Sequence, residues 1–179
     1  TFVFQHDSNS FLFEYFHFAL NGTEKQESPT VEFISFETKK ASKSEAESLN
    51  IPAGSSIHKI YNKLGLNKKF YIIDKIIISQ DKFHGLNEEI FKNRANTIYN
   101  LYQNKFNIFI TNCSEKLKAI SSNEKISKLL DIDLGSPILK IDRIGQTYHN
   151  ETIEIRTSYV HTSDIEYIHS QNSTFGEAL

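Results

Sequence analysis

The sequence predicts an α+β fold, a mainly antiparallel sheet with helices packed on it, chiefly because the chain contains an internal duplication. Residues 49–60 match residues 130–141 without a gap, and Leu, Ile, Gly, Ser, Ile, Lys and Ile recur 81 residues apart. Each copy follows a helix-start pattern and precedes two apolar runs joined by a polar turn. Such runs are typical of hairpins, whose strands pair antiparallel. We therefore expect one domain made of two related halves.

The first half, about residues 31–78, is predicted to contain a strand, a short helix and a hairpin. Ser42 and Glu45 form a Ser-x-x-Glu capping box, which starts a helix by satisfying free backbone N–H groups. Gly54 marks the turn between that helix and the next strand. The predicted strands cover residues 31–38, 57–64 and 70–78, with a turn around Asn67-Lys68-Lys69.

The second half, about residues 107–160, repeats this plan. Ser121 and Glu124 are predicted to form a second capping box, and Gly135 takes the place of the first glycine. Apolar residues at helical spacing predict one helix over residues 87–104, which links the halves. The predicted strands cover residues 106–118, 138–144 and 152–160, with a turn around His149-Asn150-Glu151.

Composition argues against several functions. The formal net charge is −2, and the chain has only three arginines, Arg94, Arg143 and Arg156, so direct DNA contact by these residues is not expected. No apolar run is long enough for a membrane span, and no secretory signal begins the sequence. The single Cys113 excludes an internal disulfide framework. These features predict a cytoplasmic protein.

No motif for catalysis, metal or cofactor binding stands out. The seven histidines lack metal-ligand spacing, and neither a phosphate-binding glycine loop nor a Gly-x-Ser-x-Gly elbow occurs. Cys113 is a nucleophile only if a histidine meets it in space, and an inert buried thiol is the favoured interpretation. We therefore predict no cofactor, no metal and no enzyme activity.

The duplicated run Leu-x-Ile-x-x-Gly-Ser-x-Ile-x-x-Ile, followed by a hairpin, resembles the UTRA domain. This is the effector-binding module of the HutC subgroup of GntR-type transcription regulators, with a chorismate lyase-like fold. The segment from Phe83 to Leu86 resembles the family's Phe-Pro-Gly-Leu, and Thr97-Ile98-Tyr99 resembles its Ser-Leu-Tyr. Ser158-Tyr159, with Asp164 and Tyr167, resembles its C-terminal motif. The resemblance spans roughly residues 1–170, and residues 171–179 match nothing.

The resemblance implies that residues 1–179 are a single effector-binding domain of a homodimeric repressor. The segment Thr1-Phe2-Val3 resembles the end of a winged helix-turn-helix, which implies a DNA-binding domain before Thr1 that contacts operator DNA. The effector would be a sugar, a sugar derivative or another metabolite. Effector binding would then alter operator affinity.

The resemblance also implies a cleft at the N-terminus of the linking helix. Thr97 and Tyr99 would contribute hydroxyls there, although Thr97 as a helix cap and Tyr99 as a core residue are equally good interpretations. Asp74 and Glu154 lie within apolar strand runs and align with acidic site positions of the family. A buried carboxylate needs a partner, so each is predicted to meet the effector, unless it faces solvent or pairs with a lysine.

Sugar-phosphate-binding relatives carry an Arg-x-Arg pair where this chain has Asn62 and Leu64, and this departure argues against a sugar-phosphate effector. It favours a neutral or less anionic effector, or else a phosphate held by other donors. Strand alternation places Lys63 on the opposite face. Arg143, the repeat counterpart of Asn62, is one candidate donor, and a structural arginine is the alternative. The remaining candidate site residues implied by the resemblance are Tyr159 and the N-terminal aromatic pair His17 and Phe18.

Two other functions stay open. A lyase on the same fold would use Arg143 to hold a carboxylate and Glu154 as an acid, because a fold does not fix a function. The second alternative is an interaction module that binds a protein partner and no small molecule. A well-filled interior between the halves would favour the interaction module.

Overall fold

A computed structural model describes residues 16–23 and 27–169. The wing-like segment at residues 1–3 and the unmatched residues 171–179 lie outside these ranges. Within them the strands are β1 (Phe18–Leu20), β2 (Thr30–Lys40), β3 (Ser56–Leu66), β4 (Lys69–Ser79), β5 (Asn112–Ser121), β6 (Pro137–Gln146), β7 (Thr152–Val160) and β8 (Ile165–Tyr167). The helices are α1 (Lys43–Leu49), α2 (Glu88–Lys92), α3 (Ile98–Phe106) and α4 (Glu124–Leu130).

The main sheet has six strands in the order β2-β3-β4-β7-β6-β5, and every neighbouring pair is antiparallel. The predicted α+β class with a mainly antiparallel sheet is confirmed. Each half contributes three adjacent strands, so the order of one half mirrors that of the other about the β4–β7 contact. A separate two-stranded sheet pairs β1 with β8.

The two halves exchange their helices across the sheet. Helix α1 of the first half packs on β7 of the second, and α4 of the second half packs on β4 of the first. Both contacts are apolar: Leu49 of α1 clusters with Ile77 of β4 and Ile155 of β7, and Ile126 of α4 clusters with Ile73 of β4. Burying each such side chain stabilises the fold by about 1.5–3 kcal/mol. Neither half can lose its partner without exposing these residues.

The opposite face of the sheet carries the larger apolar cluster. Ile60, Ile76 and Ile78 of the sheet pack there against Phe83 and against Tyr102 of α3, all at most 2% exposed. Helices α2 and α3 therefore cover one face, whereas α1 and α4 cover the other. The functional cavity lies on the α3 face.

The predicted capping boxes have different outcomes. Ser42 caps α1, and Glu45 closes the box by accepting the Ser42 backbone N–H at 2.9 Å. The prediction for α4 is wrong in its residues, because Asn123 is the N-cap and accepts the Ile126 backbone N–H at 3.0 Å. An Asn side chain caps as well as Ser, and starting at Asn123 keeps Ile126 on the buried side.

The single helix predicted over residues 87–104 is also wrong. The chain forms α2, leaves the helical path at Asn93, and restarts α3 with Thr97 as N-cap, whose hydroxyl accepts from the Asn100 backbone N–H at 3.2 Å. Residues 106–111 are not strand as predicted, because α3 runs to Phe106 and β5 begins only at Asn112. Asn107 ends α3 in the left-handed region, with φ 54°.

The predicted turns lie where the hairpins need them. Asn67 and Lys68 join β3 to β4 with φ of 46° and 66°, the two positive values that a two-residue hairpin turn demands. Gly65 precedes this turn at a register shift, and a Cβ there would lie 2.5 Å from the Lys69 carbonyl oxygen. Only glycine fits so close a backbone approach.

Candidate functional site

A cavity of about 400 Å³ lies between the sheet and the N-terminus of α3. Strands β3, β4, β6 and β7 form its floor, and the segment 94–99 and aromatic residues of the N-terminal strand region close its sides. This size suits a small metabolite. Its polar and charged wall residues are Ser28, Asn62, Asp74, Arg94, Asn96, Thr97, Tyr99, Arg143, Arg156 and Ser158.

Strand register brings the floor residues together in two neighbouring rows. Asn62 on β3 lies opposite Asp74 on β4, and Asp74 lies opposite Ser158 on β7. In the next row Arg143 on β6 lies opposite Arg156 on β7. Residues directly opposite on one face are close enough for their side chains to interact. The sheet therefore presents an acidic and amide row beside an arginine pair.

Asp74 is a carboxylate buried to 3% exposure, and its own neighbours satisfy it. Ser158 Oγ donates to Asp74 Oδ1 at 2.5 Å, and Arg156 Nη1 lies 3.3 Å from Asp74 Oδ2. A buried carboxylate without such donors would be strongly unfavourable. Because it also lines the cavity, Asp74 can accept a further hydrogen bond from a ligand hydroxyl or amine.

Glu154 lies on the cavity face of β7, covered by α3 and outside the cavity lining, and is fully buried. Tyr102 Oη donates to Glu154 Oε2 at 2.6 Å, while Tyr99 Oη and Arg156 Nε donate to Oε1 at 3.2 and 2.8 Å. Burial and the nearby Glu154 charge raise the pKa of both tyrosines well above the ordinary value, so both stay protonated as donors. This carboxylate joins α3 to the sheet.

Arg156 is the hub of this network. Burial alone would lower its pKa, but the charges of Glu154 and Asp74 and the Tyr99 phenol outweigh burial and raise the pKa well above the ordinary value. The guanidinium is therefore always charged. Its Nη2 is buried and makes no hydrogen bond within the described residues.

Arg143 forms the wall between this cavity and a second hollow. Its Nε and Nη2 lie 2.6 and 2.5 Å from Glu115 Oε1, and Tyr167 Oη donates to Glu115 Oε2 at 2.5 Å. Burial opposes the charge of Arg143, but the Tyr99 phenol and Glu115 raise its pKa overall. The second hollow is lined by His17, Cys113 and other residues next to this pair.

Arg94 enters the cavity from the segment between α2 and α3. Its Nη1 donates to the Phe91 carbonyl oxygen at 2.6 Å, and its guanidinium stacks 4.5 Å from the centre of the Phe91 ring. Burial lowers the pKa of Arg94. In the described ranges, no carboxylate lies within 4.0 Å of this arginine, and its buried Nε has no acceptor.

Asn62 places an unsatisfied amide group at the cavity. It is 1% exposed, lines the cavity, and neither its Oδ1 nor its Nδ2 has a hydrogen-bond partner among the described residues. Leaving a buried amide unpaired costs about 1–3 kcal/mol per group. A molecule in the cavity would remove this cost.

The structure brings together six of the nine sequence-predicted site residues. These are the cavity-lining residues Phe18, Asn62, Asp74, Thr97, Tyr99 and Arg143. Leu64 also lines the cavity, whereas Lys63 pairs with Glu32 away from it, as strand alternation predicts.

The other three predicted residues lie elsewhere. Glu154 is buried between β7 and α3 beside the cavity, and His17 lines the second hollow. Tyr159 packs beside Ile73 in the cluster under α4, on the opposite face of the sheet. Burial lowers the pKa of His17, which favours its neutral form.

Sequence reasoning missed Arg94, Arg156, Ser158 and Tyr102 as parts of the site. One signal could have found two of them: Arg156 and Ser158 follow Glu154 at intervals of two residues, so all three share a face of β7. Across residues 16–23 and 27–169, no group of three or more His, Cys, Asp or Glu is arranged to hold a metal ion. None of the helices in these ranges is long and apolar enough to cross a membrane.

Comparison with known proteins gives one family. The model of the UTRA domain matches residues 24–166. The ligand-binding domain of a GntR-family transcriptional regulator from Bordetella bronchiseptica superposes with a TM-score of 0.84 at 25% identity, covering 88% of this chain and 98% of that one. A GntR-family regulator from Enterococcus faecalis gives a TM-score of 0.72 at 18% identity, covering 79% and 100%. No protein of curated function matches the sequence.

Fold, cavity and comparisons together define a class: this is a ligand-sensing regulatory domain of a transcription regulator. More specifically, the chain belongs to the UTRA domain family. The effector domain of PhnF from Mycobacterium smegmatis shares the fold, with a TM-score of 0.68 at 15% identity over 75% of this chain and 82% of that one.

Proposed function

We propose that the cavity at the N-terminus of α3 binds a small effector, and that binding changes the operator affinity of a DNA-binding domain joined to this one. The observation that carries the proposal is the buried, unpartnered Asn62 amide in a cavity of about 400 Å³. An unpaired buried amide destabilises a protein, so a ligand that hydrogen-bonds to Asn62 gains this free energy on binding.

In the proposed complex the effector makes polar contacts with one set of wall residues and apolar contacts with another. Asp74 accepts from a hydroxyl or amine of the effector, and Asn62 both donates and accepts. Thr97 and Tyr99 lie at the end of α3 that carries partial positive charge. Phe18 packs against the apolar part of the effector. Arg143 contributes a charged donor from the wall of the second hollow.

The proposed response passes through α3. Tyr99 and Tyr102 on α3 hold Glu154 on β7, and Arg156 links that carboxylate to Asp74 on the floor. An effector that contacts both the floor and α3 favours one position of the helix over another. The effector and the operator DNA each bind better to one of these arrangements of the protein. Binding of either one therefore changes the protein's affinity for the other by the same factor.

The partners follow from this mechanism. We infer a homodimer, since a two-fold operator is read by two DNA-binding domains with matching half-site spacing. The DNA-binding domain belongs at the N-terminal side, where the wing-like residues lie. A cytoplasmic repressor of the HutC subgroup, released from or recruited to DNA by its effector, is the proposed whole protein.

The test starts with a thermal-shift screen of the purified domain against sugars, sugar phosphates, amino acids and organic acids. A compound that stabilises the domain is then titrated into the intact regulator on its operator. We expect operator affinity to change about 5- to 150-fold. D74N should keep operator binding but lose the response, whereas K63Q, altered on the opposite face, should respond as wild type. Unchanged affinity across a panel that includes stabilising compounds would refute the proposal.

The two alternatives receive less support from the geometry. A lyase would need an acid at the substrate, but Glu154 is fully buried under α3, does not line the cavity and accepts three hydrogen bonds. An interaction module would have a filled interior, and this one holds a cavity of about 400 Å³.

A further inference from the structure

All three arginines of the chain line the same cavity, although they come from β6, β7 and the segment before α3. None of the lysines in the described ranges lines it. Arginine presents a planar fork of donors that matches carboxylate and phosphate groups, whereas lysine is a point charge. The convergence is therefore a property of the cavity and not of the overall charge, which is −2.

We propose that the effector is a small organic anion, whose carboxylate or phosphate group is bound by Arg94 and Arg156. This inference rests on the proposed function and names the chemical class of its ligand. It is carried by three features of the cavity: the balance of charge, the surplus of hydrogen-bond donors, and the helix N-terminus.

The three arginines and three nearby carboxylates balance in number but not in position, because among the described residues Arg156 has two carboxylates and Arg94 has none. Arg143 and Arg156 lie directly opposite each other, an arrangement that is unfavourable unless anions separate them. Glu115 neutralises Arg143, and Glu154 with Asp74 neutralises Arg156. Arg94 has no carboxylate within 4.0 Å in the described part of the chain. An anionic effector supplies a counter-ion at the Arg94 end of the cavity.

The unsatisfied hydrogen-bonding atoms of the cavity are mainly donors. Arg94 Nε, Arg156 Nη2 and Asn62 Nδ2 are buried donors without acceptors, and Asn62 Oδ1 is the one buried acceptor without a donor among the described wall residues. A carboxylate or a phosphate dianion offers acceptors only, so it complements this set better than a neutral sugar hydroxyl, which both donates and accepts.

The N-terminus of α3 adds to the same end of the cavity. This helix has nine residues, and residues 95–99 line the cavity beside Arg94. Free backbone N–H groups and the helix dipole favour an anion at such a position. Asp74 orients the effector, because its carboxylate repels a second anionic group on the same molecule. The far end of the effector therefore carries hydroxyl or amine donors.

The experiment uses oxyanions themselves as probes. Thermal unfolding of the purified chain is measured in potassium phosphate and in potassium acetate, each against potassium chloride at the same ionic strength. We expect at least one oxyanion to raise Tm saturably, by about 2–4 °C at concentrations well above its Kd. A response to phosphate alone assigns a phosphate ester, and a response to acetate alone assigns a carboxylate.

Matched variants locate the binding. R94Q should abolish the oxyanion-specific rise, since it removes the arginine that has no internal counter-ion. R156K should weaken the rise while keeping a charge for Glu154 and Asp74. K63Q, the control, should behave as wild type.

Two results would overturn the inference: no oxyanion-specific rise in the wild-type chain, or equal rises in R94Q and K63Q. A neutral compound that shifts operator affinity, together with either result, would leave the proposed function standing and remove only the anionic class.

Discussion

The hairpins β3–β4 and β6–β7 share one backbone plan but carry opposite polar groups. In the first, Asn62 lies opposite Asp74; in the second, the equivalent residues Arg143 and Arg156 lie opposite each other. Apolar positions did not diverge in this way, since Ile60 and its repeat counterpart Ile141 are both buried. The duplication persists where side chains pack and is lost where they face the cavity.

This difference shows how a symmetric scaffold forms an asymmetric site. The register of β4 with β7 places Lys75 opposite Thr157, at the centre of the pseudo-symmetry. Residues on either side of that centre meet in the cavity, so an acidic row and a basic pair become neighbours. Neither half could supply both alone.

The largest expected effect is a loss of stability. It comes from replacing the most buried charged residue of the second hairpin with the residue at the equivalent position of the first. Glu154 corresponds to Ile72 of the first hairpin, judged by its position opposite Gly145, as Ile72 lies opposite Leu64. E154I should lower the free energy of unfolding by about 3–5 kcal/mol, because Arg156 loses its main counter-ion in a buried setting. Urea denaturation measures this.

Two controls belong with that measurement. E154I/R156M should recover part of the loss, since an apolar pair replaces a broken ion pair. E32Q removes an exposed partner of Lys63 and should cost about 1 kcal/mol or less. A loss for E154I no larger than that for E32Q would show that the network does not hold α3 to the sheet.

The second prediction compares two residues at equivalent positions of the repeat. Replacing each by leucine should change the free energy of unfolding in opposite directions. N62L should raise the free energy of unfolding of the empty domain by about 1–3 kcal/mol, because it removes an unpaired buried amide. R143L, at the equivalent position, should lower it, because Glu115 loses its ion pair. N62L should at the same time weaken the effector response.

Chemical denaturation of both variants without effector provides the readout. If N62L destabilises the empty domain, then its amide is satisfied within the protein and the cavity has less need of a ligand.

The duplication explains why most of the fold could be predicted. The N-caps of α1 and α4 follow the repeat spacing, since Asn123 lies 81 residues after Ser42. This spacing gives the correct start of α4, whereas a search for a second Ser-x-x-Glu motif does not. Strand alternation likewise predicts Asn62 on the cavity face. Local pattern and repeat spacing are enough for elements that both halves share.

The parts that could not be predicted depend on contacts between distant segments. The break between α2 and α3 contains no proline or glycine, and Arg94 reaches the cavity only because the chain turns there and stacks the guanidinium on Phe91. Arg156 acquires its role from the β4–β7 register, which places it between Asp74 and Glu154. No local pattern encodes that register.

The smallest expected effect is a difference in acid sensitivity between the two hairpins. His58 on β3 is 2% exposed, and burial lowers its pKa below the ordinary 6.5, whereas its repeat counterpart Leu139 cannot titrate. The folded state therefore keeps His58 neutral, while the unfolded chain binds a proton as pH falls below about 6.5. The unfolded state then gains protons that the folded state lacks, so stability is lost from about pH 6.5 downward.

H58L, which copies the second hairpin, should remove this part of the pH dependence. Its free energy of unfolding should fall less than that of the wild type between pH 7.5 and 5.5, as measured by urea denaturation at several pH values. The exposed Thr38 hydroxyl, which contacts His58 Nδ1 at 2.9 Å, can turn to water in the variant. Because His17 is unchanged in both proteins, its own titration cancels in the comparison. Parallel pH curves would mean that His58 keeps an ordinary pKa despite its burial, and that the two hairpins differ in charge only at the cavity.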